Sequence, residues 1–307
     1  MMWPRLPARR WAVGLAALAV SGVLVGGCAE SSPAASGGAS QAAVASCAAT
    51  RGTWTAAEPA SPGSRNNDLT GVAVLAAGNA WTVGSYADTN GGQTLIEHWN
   101  GTTWSVTPSP DPGGSGNFLS GVSAVSPSAI WAVGEYQIGG QSKTLIVFWN
   151  GTAWQQVASP SPGPDSYLTS VWAVSAKDVW AVGNYGDGPS SGSSSLILHW
   201  NGTRWTQLPT PNPGISNKLD AVTATSAANA WAVGSSGSGQ PGSPFILHWN
   251  GTTWTRAASP SPGAGGNLVG ITANAAANAW AVGQFGAVGG DDAFAVRYCP
   301  PPEGKAD

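Results

Sequence analysis

Three short phrases recur along this chain at intervals of 49 to 51 residues, and this period constrains the fold more than any other feature. HWNGTTW or a close variant begins at His98, Phe148, His199 and His248. WTVG or WAVG begins at Trp81, Trp131, Trp180, Trp231 and Trp280. A Gly-Thr phrase ends on tryptophan at Trp54, Trp104, Trp154, Trp205 and Trp254. A fixed period of about 50 residues predicts a propeller or a solenoid of repeated supersecondary units.

Each unit is interpreted as four antiparallel strands, here called A to D, which makes the chain all-β. Strand A carries a leucine twelve residues before each WAVG tryptophan, at Leu69, Leu119, Leu168, Leu219 and Leu268. Strand B is the WAVG segment, with tryptophan and valine on one face and small residues on the other. Strand C is the LIxHW run, as at Leu95–Trp99. Strand D begins at the Gly-Thr-x-Trp phrase and ends in proline-rich sequence, where lost donors stop pairing.

The Asn-Gly pair inside HWNGTTW lies between two strand-like runs and predicts a β-hairpin. We expect a two-residue type I′ turn, in which both turn residues adopt positive φ. In that register Trp99 faces Thr102, and Trp104 lies diagonally from Trp99 on the same face of the sheet. Large aromatic residues at that range still touch. The repeated phrase is therefore predicted to place its indoles between neighbouring blades.

The two ends of the chain favour a closed ring of five blades over an open stack. Strands A, B and C occur five times, whereas no strand D follows Tyr298. A strand D without A, B or C before it stands at Arg51–Pro59, so we expect this N-terminal strand to complete the last blade. Cys47 and Cys299 flank the interrupted hairpin, and export favours their oxidation to a disulfide. The expected fold is a five-bladed β-propeller over residues 47–299.

The WAVG and WNGxxW phrases resemble those of a large group of bacterial secreted β-propellers. The resemblance covers Cys47–Cys299, and the blade length is also similar to that of kelch-type repeats. The group includes lectin-like binders, scaffolds and enzymes, so the resemblance implies the fold and leaves the function open. It supplies no catalytic motif at positions of this chain.

The first 27 residues have the pattern of a targeting segment. Three arginines precede an apolar stretch, Trp11–Val25, which is shorter than the roughly 20 residues of a membrane span. LVGGC at Leu24–Cys28 resembles the lipobox of bacterial lipoproteins, which implies cleavage before Cys28 and its acylation, including palmitate. The alternative is an ordinary signal peptide with an incidental cysteine, and Sec or twin-arginine export stays open. Residues 28–46 are expected to form a flexible tether and residues 300–307 a disordered tail.

Composition limits the possible partners. Removing residues 1–27 takes away three of the 12 basic residues and none of the 15 acidic ones, which leaves nine against 15. A chain of this charge without a basic run is a poor partner for nucleic acid. The expected location is extracytoplasmic, at the cell membrane through the lipid. Although only 9% of the residues are charged, the 17 tryptophans supply enough apolar area for a core.

The connections from B to C and from D to A lie at one edge of the predicted blades, where loops on a rigid scaffold commonly bind ligands. Aromatic residues follow strand B at Tyr86, Tyr136, Tyr185 and Phe285. Polar or aromatic residues stand near the start of strand A at Asn67, Asn117, Asp165, Tyr167, Asn217 and Asn267. Aromatic faces beside amides and carboxylates suit sugars. We expect a binding module for a glycan or cell-envelope polymer, with a protein-interaction scaffold as the alternative and blade packing as the structural explanation.

A glycosidase-like hydrolase is the second alternative. It would use Asp68, Asp165 and Asp220 near the propeller axis as the pair of carboxyls that glycoside hydrolysis requires. The three stand at different offsets from their tryptophans, and aspartate is also common in turns. Equivalent positions on different blades cannot converge on one ion, so His98, His199 and His248 are expected to be structural, beside the residue across the hairpin (Thr103, Arg204 or Thr253). The sequence predicts no cofactor, no metal and no enzyme activity.

Overall fold

The fold is described from a computed structural model. The described residues are 54, 56–89, 91–114, 116–186, 192–238, 242–260, 265–275, 278–286 and 292–298. The sheets lie in one compact unit, Ala56–Asp307. The predicted signal peptide, tether and tail fall outside the described residues, as do Cys28, Cys47 and Cys299. The lipid anchor and the Cys47–Cys299 disulfide therefore stay predictions.

Within the described residues the chain forms antiparallel strands in five sheets, each built in chain order. The first sheet contains β1 (Asn67–Ala76), β2 (Asn79–Asp88), β3 (Gly91–Trp99) and β4 (Trp104–Val106). The second contains β5 (Asn117–Ser126), β6 (Ala129–Ile138), β7 (Gln141–Trp149) and β8 (Trp154–Gln156). The third contains β9 (Asp165–Ser175), β10 (Asp178–Gly186), β11 (Ser194–Trp200) and β12 (Trp205–Gln207). The fourth contains β13 (Ser216–Ser226), β14 (Asn229–Gly237), β15 (Ser243–Trp249) and β16 (Trp254–Ala257). The fifth contains β17 (Asn267–Ala275), β18 (Asn278–Phe285) and β19 (Asp292–Arg297). The predicted all-β repeat of antiparallel sheets is confirmed, with four described strands in each of the first four sheets and three in the fifth.

Four buried clusters fill the four spaces between consecutive sheets. The alternation of strand B decides which residues enter each space. Trp81 and Val83 face the second sheet, where Leu119 and Ala132 meet them. Because side chains alternate across a strand, the small residues between them leave room for the neighbouring sheet on the other side. The WAVG phrase is thus a two-faced packing element.

The glycine of each WAVG phrase is required by a close approach of two backbones. At Gly84, a Cβ atom would overlap the carbonyl oxygen of Asp68 in β1. The same overlap occurs at Gly134, Gly183, Gly234 and Gly283. Just beyond this contact β1 carries a bulge at Thr70, whose hydroxyl donates to the carbonyl oxygen of Leu119 in the next sheet at 2.7 Å. The bulge therefore links neighbouring sheets through their first strands.

The C–D hairpin differs from the predicted two-residue turn. Trp99 pairs directly with Trp104, so four residues form the loop and Trp99 does not face Thr102. The Asn100 side-chain oxygen accepts from Thr102 N (3.0 Å), Thr102 Oγ1 (2.8 Å) and Thr103 N (3.0 Å). Gly101 has a positive φ, at 101°. This side-chain turn competes with the type I′ backbone turn and lengthens the loop by two residues.

The ring closure expected from the sequence is not seen in the described part of the chain. The first strands pack in the order β1 on β5, β5 on β9, β9 on β13 and β13 on β17, and no comparable packing joins β17 to β1 there. Leu69 is 42% exposed where Leu119 is 1% exposed, and Trp280 is 47% exposed where Trp180 is 0% exposed. The predicted closing strand, Arg51–Pro59, is described only in part, because residues 51–53 and 55 fall outside the described residues. Trp54 and residues 56–59 are described; they belong to no strand, and the Trp54 side chain is exposed.

Candidate functional site

The loop rim is the edge of the sheets that carries the B–C and D–A connections. Hydrogen bonds tie the two kinds of connection together: Arg65 N donates to Ala87 O at 3.1 Å, and Gln137 N donates to Gly116 O at 2.7 Å. The A–B turns and C–D hairpins lie at the opposite edge, where Trp149 Nε1 donates to Pro127 O at 3.0 Å. This is the division of loops that the strand order predicted.

Aromatic side chains stand at the rim ends of four B strands, and all four are half-buried: Tyr86, Tyr136, Tyr185 and Phe285. The Tyr86 hydroxyl donates to Gln93 Oε1 at 2.8 Å. Tyr136 and Tyr185 pack against the clusters between sheets, and Phe285 meets Phe294 edge-on at 5.9 Å between ring centroids. Each ring therefore contributes to packing and still presents part of its surface to solvent.

Three of the four predicted asparagines hold loops in place. Asn117 accepts from Gly113 N at 2.7 Å and donates to Gly92 O at 3.0 Å and Gly113 O at 3.1 Å. Asn67 and Asn217 make equivalent bonds to Gly63 and Gly214, and Asn117 and Asn217 are buried. Their amide groups are committed to the backbone at the start of strand A, which leaves little for a ligand.

The fourth asparagine, Asn267, occupies a different position in the repeat. It directly precedes Leu268 and pairs with Gln284, whereas Asn67 lies two residues before Leu69 and pairs with Tyr86. The loop-holding position of the third sheet is taken by Ser166, which bonds both the N–H and the carbonyl of Gly163. The asparagines therefore do not form one continuous row along the loop rim.

An acidic and phenolic group gathers between the second and third sheets. Asp165 Oδ1 accepts from the backbone N–H of Ser142 at 3.3 Å. Burial raises the pKa of Glu135 above its ordinary value, the charge of Asp165 raises it further, and a hydrogen bond with Ser142 lowers it. Burial also raises the pKa of Tyr167, which interacts with Ser142, Asp165 and Glu135. We call these four residues the Glu135–Asp165 group.

Sequence reasoning found Asp165 and Tyr167 but missed Glu135 and Ser142. The available signal was a break in the repeat. The residue after the WAVG glycine is Ser85, Asn184, Ser235 or Gln284 in the other units, and only the second unit places an acidic residue there. Because this chain has few charges, a single carboxylate at an otherwise neutral repeat position is informative.

A shallow cavity of about 310 Å³ lies next to Tyr185. Its other lining residues come from strand D and the D–A connection of the third sheet: Gln207, Leu208, Pro209, Thr210 and Asn212. Asn212 Oδ1 accepts from Ser195 N at 2.7 Å, so its orientation is fixed by the sheet. The Tyr185 cavity thus combines one aromatic face with oriented amide and hydroxyl groups.

The three aspartates of the hydrolase alternative are not brought together by any shared contact. Asp220 pairs with Lys218, with Oδ1 and Nζ 2.6 Å apart, and Asp165 belongs to the Glu135–Asp165 group. Asp68 pairs with Ser85 across the first two strands. Their different offsets in the repeat place them in different local surroundings, as the sequence indicated.

The histidines stack on the tryptophan of their own sheet, with ring centroids 4.3 Å apart for His98–Trp81 and 3.9 Å for His248–Trp231. Their hydrogen-bond partners differ from the expected residues across the C–D hairpin. His98, His199 and His248 use Nε2 to bond the first residue of strand B, which is Asn79, Asp178 or Asn229. The ring lies over strand B, and so the nearest polar group comes from the A–B turn.

Among the described residues, no cluster of three histidine, cysteine or acidic side chains is arranged to hold a metal ion. The same part of the chain contains no helix that is long and apolar enough to cross a membrane.

No family model and no curated protein matches this sequence. Solved structures with a similar fold include "YCF48 bound to D1 peptide", at 15% identity and a TM-score of 0.44, covering 70% of this chain and 60% of that one. A polysaccharide lyase of family PL25 bound to -[GlcA(1-4)Rha3S]- is 11% identical with a TM-score of 0.48, covering 74% and 66%. A family 117 glycoside hydrolase from Zobellia galactanivorans is 10% identical with a TM-score of 0.40, covering 73% and 81%. The chain spans less than two thirds of the first two, and likenesses this distant carry no argument about function.

Proposed function

We propose that this protein is a lipid-anchored, extracytoplasmic β-propeller that binds a glycan or another cell-envelope polymer through its loop rim. The observation that carries the proposal is the Tyr185 cavity, where a half-buried aromatic ring borders oriented polar groups. Sugars present apolar C–H faces that pack on aromatic rings, and hydroxyls that pair with amides and carboxylates. The Tyr185 cavity brings an aromatic ring together with the hydroxyl of Thr210 and the amide of Asn212.

The Glu135–Asp165 group extends this surface between the second and third sheets. Tyr185 packs against the buried cluster of the same two sheets, so the cavity and the acidic group belong to one part of the rim. Glu135 Oε2 is buried and accepts no hydrogen bond from the described residues. A hydroxyl donor would satisfy this oxygen, because a buried acceptor without a partner is costly. Neutral, hydroxyl-rich ligands fit it better than anions.

The proposed location follows from the N-terminal sequence. Cleavage before Cys28 and acylation would hold the propeller at the membrane through residues 28–46. The eighteen residues 29–46, as a flexible chain, span roughly 20–25 Å on average. That length lets the loop rim meet polymer near the membrane surface without fixing its orientation.

The proposed fold is a ring of five blades in which Arg51–Pro59 supplies the fourth strand of the fifth sheet. A cavity of about 350 Å³ supports this assignment; it lies beside Trp231 and is lined by Ala257, Ala281 and Tyr298 among others. In the preceding spaces a strand-D tryptophan covers the equivalent indole, as Trp254 covers Trp180 at 5.3 Å. Trp54 is the repeat equivalent of Trp254. The Cys47–Cys299 disulfide would fix this strand beside β19.

The proposed function is tested by glycan-array binding of Tyr185→Ala and Tyr136→Ala variants. Loss of binding in Tyr185→Ala with retention in Tyr185→Phe supports stacking on the ring, because phenylalanine keeps the apolar face. Gln155→Ala, at an exposed position of β8, is the control and should bind as the parent does. Binding that survives both alanine substitutions would contradict the proposed site. Sugar release that is abolished by Asp165→Asn would favour the hydrolase.

A protein-interaction scaffold is the second candidate, and exposed apolar residues of the rim favour it. Ile138 at the end of β6 is 53% exposed and Ile215 before β13 is 65% exposed. Isolated exposed apolar residues are common, but two on one rim suit a protein partner. No array binding, together with one reproducible pull-down partner lost in Ile138→Ser plus Ile215→Ser, would favour this function.

A further inference from the structure

The two outer faces of the sheet series expose residues whose repeat equivalents are buried or half-buried. On the fifth sheet these are Trp280, Val282, Ala295 and Arg297. On the first sheet they are Leu69, Val72 and Val74. In every internal space, the equivalents of the fifth-sheet residues pack against the equivalents of the first-sheet residues in the next sheet. Trp231 and Val233, for example, pack with Leu268 and Ile271. The two outer faces are therefore complementary halves of one further space.

The aromatic pattern leads to the same pairing. Trp81 lies 4.9 Å from Trp149 and 5.5 Å from Trp154, the two tryptophans of the next C–D hairpin. The first sheet carries the same kind of pair, Trp99 and Trp104, at 5.5 Å. Trp280 of the fifth sheet stands at the Trp81 position of the repeat. A fifth space would place Trp280 on this pair.

Glu97 departs from the repeat on the outer face of the first sheet. It is fully buried at a position that other sheets fill with Val147, Leu198, Leu247 or Val296. Its Oε2 accepts from Ala60 N at 3.1 Å, and its Oε1 is buried without a hydrogen-bond partner among the described residues. Ala60 takes the place of Pro110, Pro160, Pro211 and Pro260 and so has an N–H to donate. One half of the carboxyl is thus satisfied by a second departure from the repeat.

Burial raises the pKa of Glu97, and the Ala60 hydrogen bond lowers it. A buried carboxyl with one unpartnered oxygen is costly unless another donor reaches it. Among the described residues no side chain donates to Oε1. The repeat pattern indicates where such a donor would come from.

Arg297 departs from the repeat on the opposite face. It stands where other sheets place a histidine or Phe148, with its guanidinium carbon 5.7 Å from the centroid of the Trp280 ring. Phe148 packs against the cluster that contains Leu198 of the next sheet. Leu198 is the equivalent of Glu97, so the repeat relation directs Arg297 towards Glu97 when the fifth sheet meets the first.

We propose that the fifth and first sheets of one chain pack against each other, with Arg297 donating to Glu97 Oε1 inside the seam. Glu97 is the only acidic residue at its repeat position, and Arg297 is the only arginine at its repeat position. The proposed packing brings these two departures from the repeat together. A charged, planar donor satisfies a buried carboxylate that a neutral apolar neighbour would leave unpaired. The pair would also exclude other registers, since no other sheet carries an acidic residue at the Glu97 position or an arginine at the Arg297 position. The proposal concerns the sheet faces and does not depend on whether Arg51–Pro59 forms a strand.

A double-mutant cycle on the full mature chain, with Cys28→Ser to prevent acylation, tests the seam. Arg297→His and Glu97→Val introduce residues that other repeats carry at these positions. Arg297→His alone should lower the equilibrium constant for folding by about tenfold or more, because it leaves a buried carboxylate unpaired. In the Glu97→Val background the same substitution should change that constant by less than about twofold. Arg256→Thr, an exposed arginine of β16, should show no such dependence on Glu97.

Equal effects of Arg297→His in both backgrounds would overturn the proposal. If Glu97→Val does not fold, Glu97→Gln serves in the same cycle, because it keeps the shape and removes the charge. Light scattering on each variant gives its oligomeric state, which shows whether Arg297 comes from the same chain as Glu97 or from a second copy. A monomer that shows the coupling supports closure within one chain, whereas coupling found only in a dimer would overturn it in favour of two copies joined end to end.

Discussion

Trp254 of the fourth sheet meets Trp180 of the third edge-on, with ring centroids 5.3 Å apart and planes at 84°. The same relationship joins Trp154 to Trp81 at 5.5 Å and Trp205 to Trp131 at 5.4 Å. A tryptophan of one repeated phrase is thus covered by a tryptophan of another, one sheet further on. The phrases recur because each interface uses both.

Replacing Trp180 by alanine should lower the free energy of unfolding by about 3–5 kcal/mol, as for other large buried aromatic residues. The side chain is fully buried between the third and fourth sheets, so its removal leaves a cavity. Denaturant unfolding measures the loss. Thr206→Ala, at an exposed position of β12, should change stability by less than about 0.5 kcal/mol. If Trp180→Ala lost as little stability as this control, the result would contradict the packing described.

Asn100→Ala should lower the free energy of unfolding by about 1–2 kcal/mol, because its side-chain oxygen accepts three hydrogen bonds in the C–D hairpin. Thr103→Ala is the matched control, since Ala153 occupies that position in the second sheet. It should be nearly neutral in the same thermal unfolding assay. Equal losses at both positions would show that the side-chain turn is not what stabilises the hairpin.

The stability of the protein should fall as the pH drops through the ordinary histidine range near 6.5. Burial lowers the pKa of His248, so the folded state binds fewer protons there than the unfolded state does. The stabilisation is present above that range and is lost below it. His248→Phe, which copies Phe148, should weaken this dependence; His98 contributes in the same direction. Unfolding measured between about pH 5 and 7.5 checks the slope, and a slope unchanged by the substitution would contradict the assignment.

Asn117→Ala should destabilise the protein by about 1–3 kcal/mol, because it removes bonds to the backbone of two connections. Asn117→Ser should lose less, since Ser166 performs this role in the third sheet. Unfolding and glycan binding are measured on the same samples. Normal stability with lost binding would return Asn117 to the ligand site.

The repeat, the strands and the two-faced B strand could be predicted because they follow from spacing and alternation. The C–D register could not, because the choice between a type I′ turn and an asparagine side-chain turn depends on hydrogen bonds that Asn-Gly permits in either case. The prediction of the hydrogen-bond partners of the histidines was wrong for a similar reason. Sequence spacing places His98 opposite the hairpin, whereas ring stacking on Trp81 carries it towards Asn79.

The candidate site was predictable only in part. Tyr86, Tyr136, Tyr185 and Phe285 were found because they share one repeat offset, and the structure places all four at the ends of B strands. Asn67, Asn117 and Asn217 share an offset as well, but their role in holding loops becomes visible only through their hydrogen bonds. Glu135 and Glu97 were missed because a search for repeated residues ignores single departures from the repeat.

Ring closure through the chain ends is tested most directly by peptide mapping of the secreted Cys28→Ser protein without reduction. The closed ring predicts that trypsin releases the peptide ending at Arg51, which contains Cys47, joined by a disulfide to Tyr298–Lys305, which contains Cys299. Reduction should separate the two peptides. Recovery of both cysteines as free thiols, or of either joined to another chain, would contradict the closed ring.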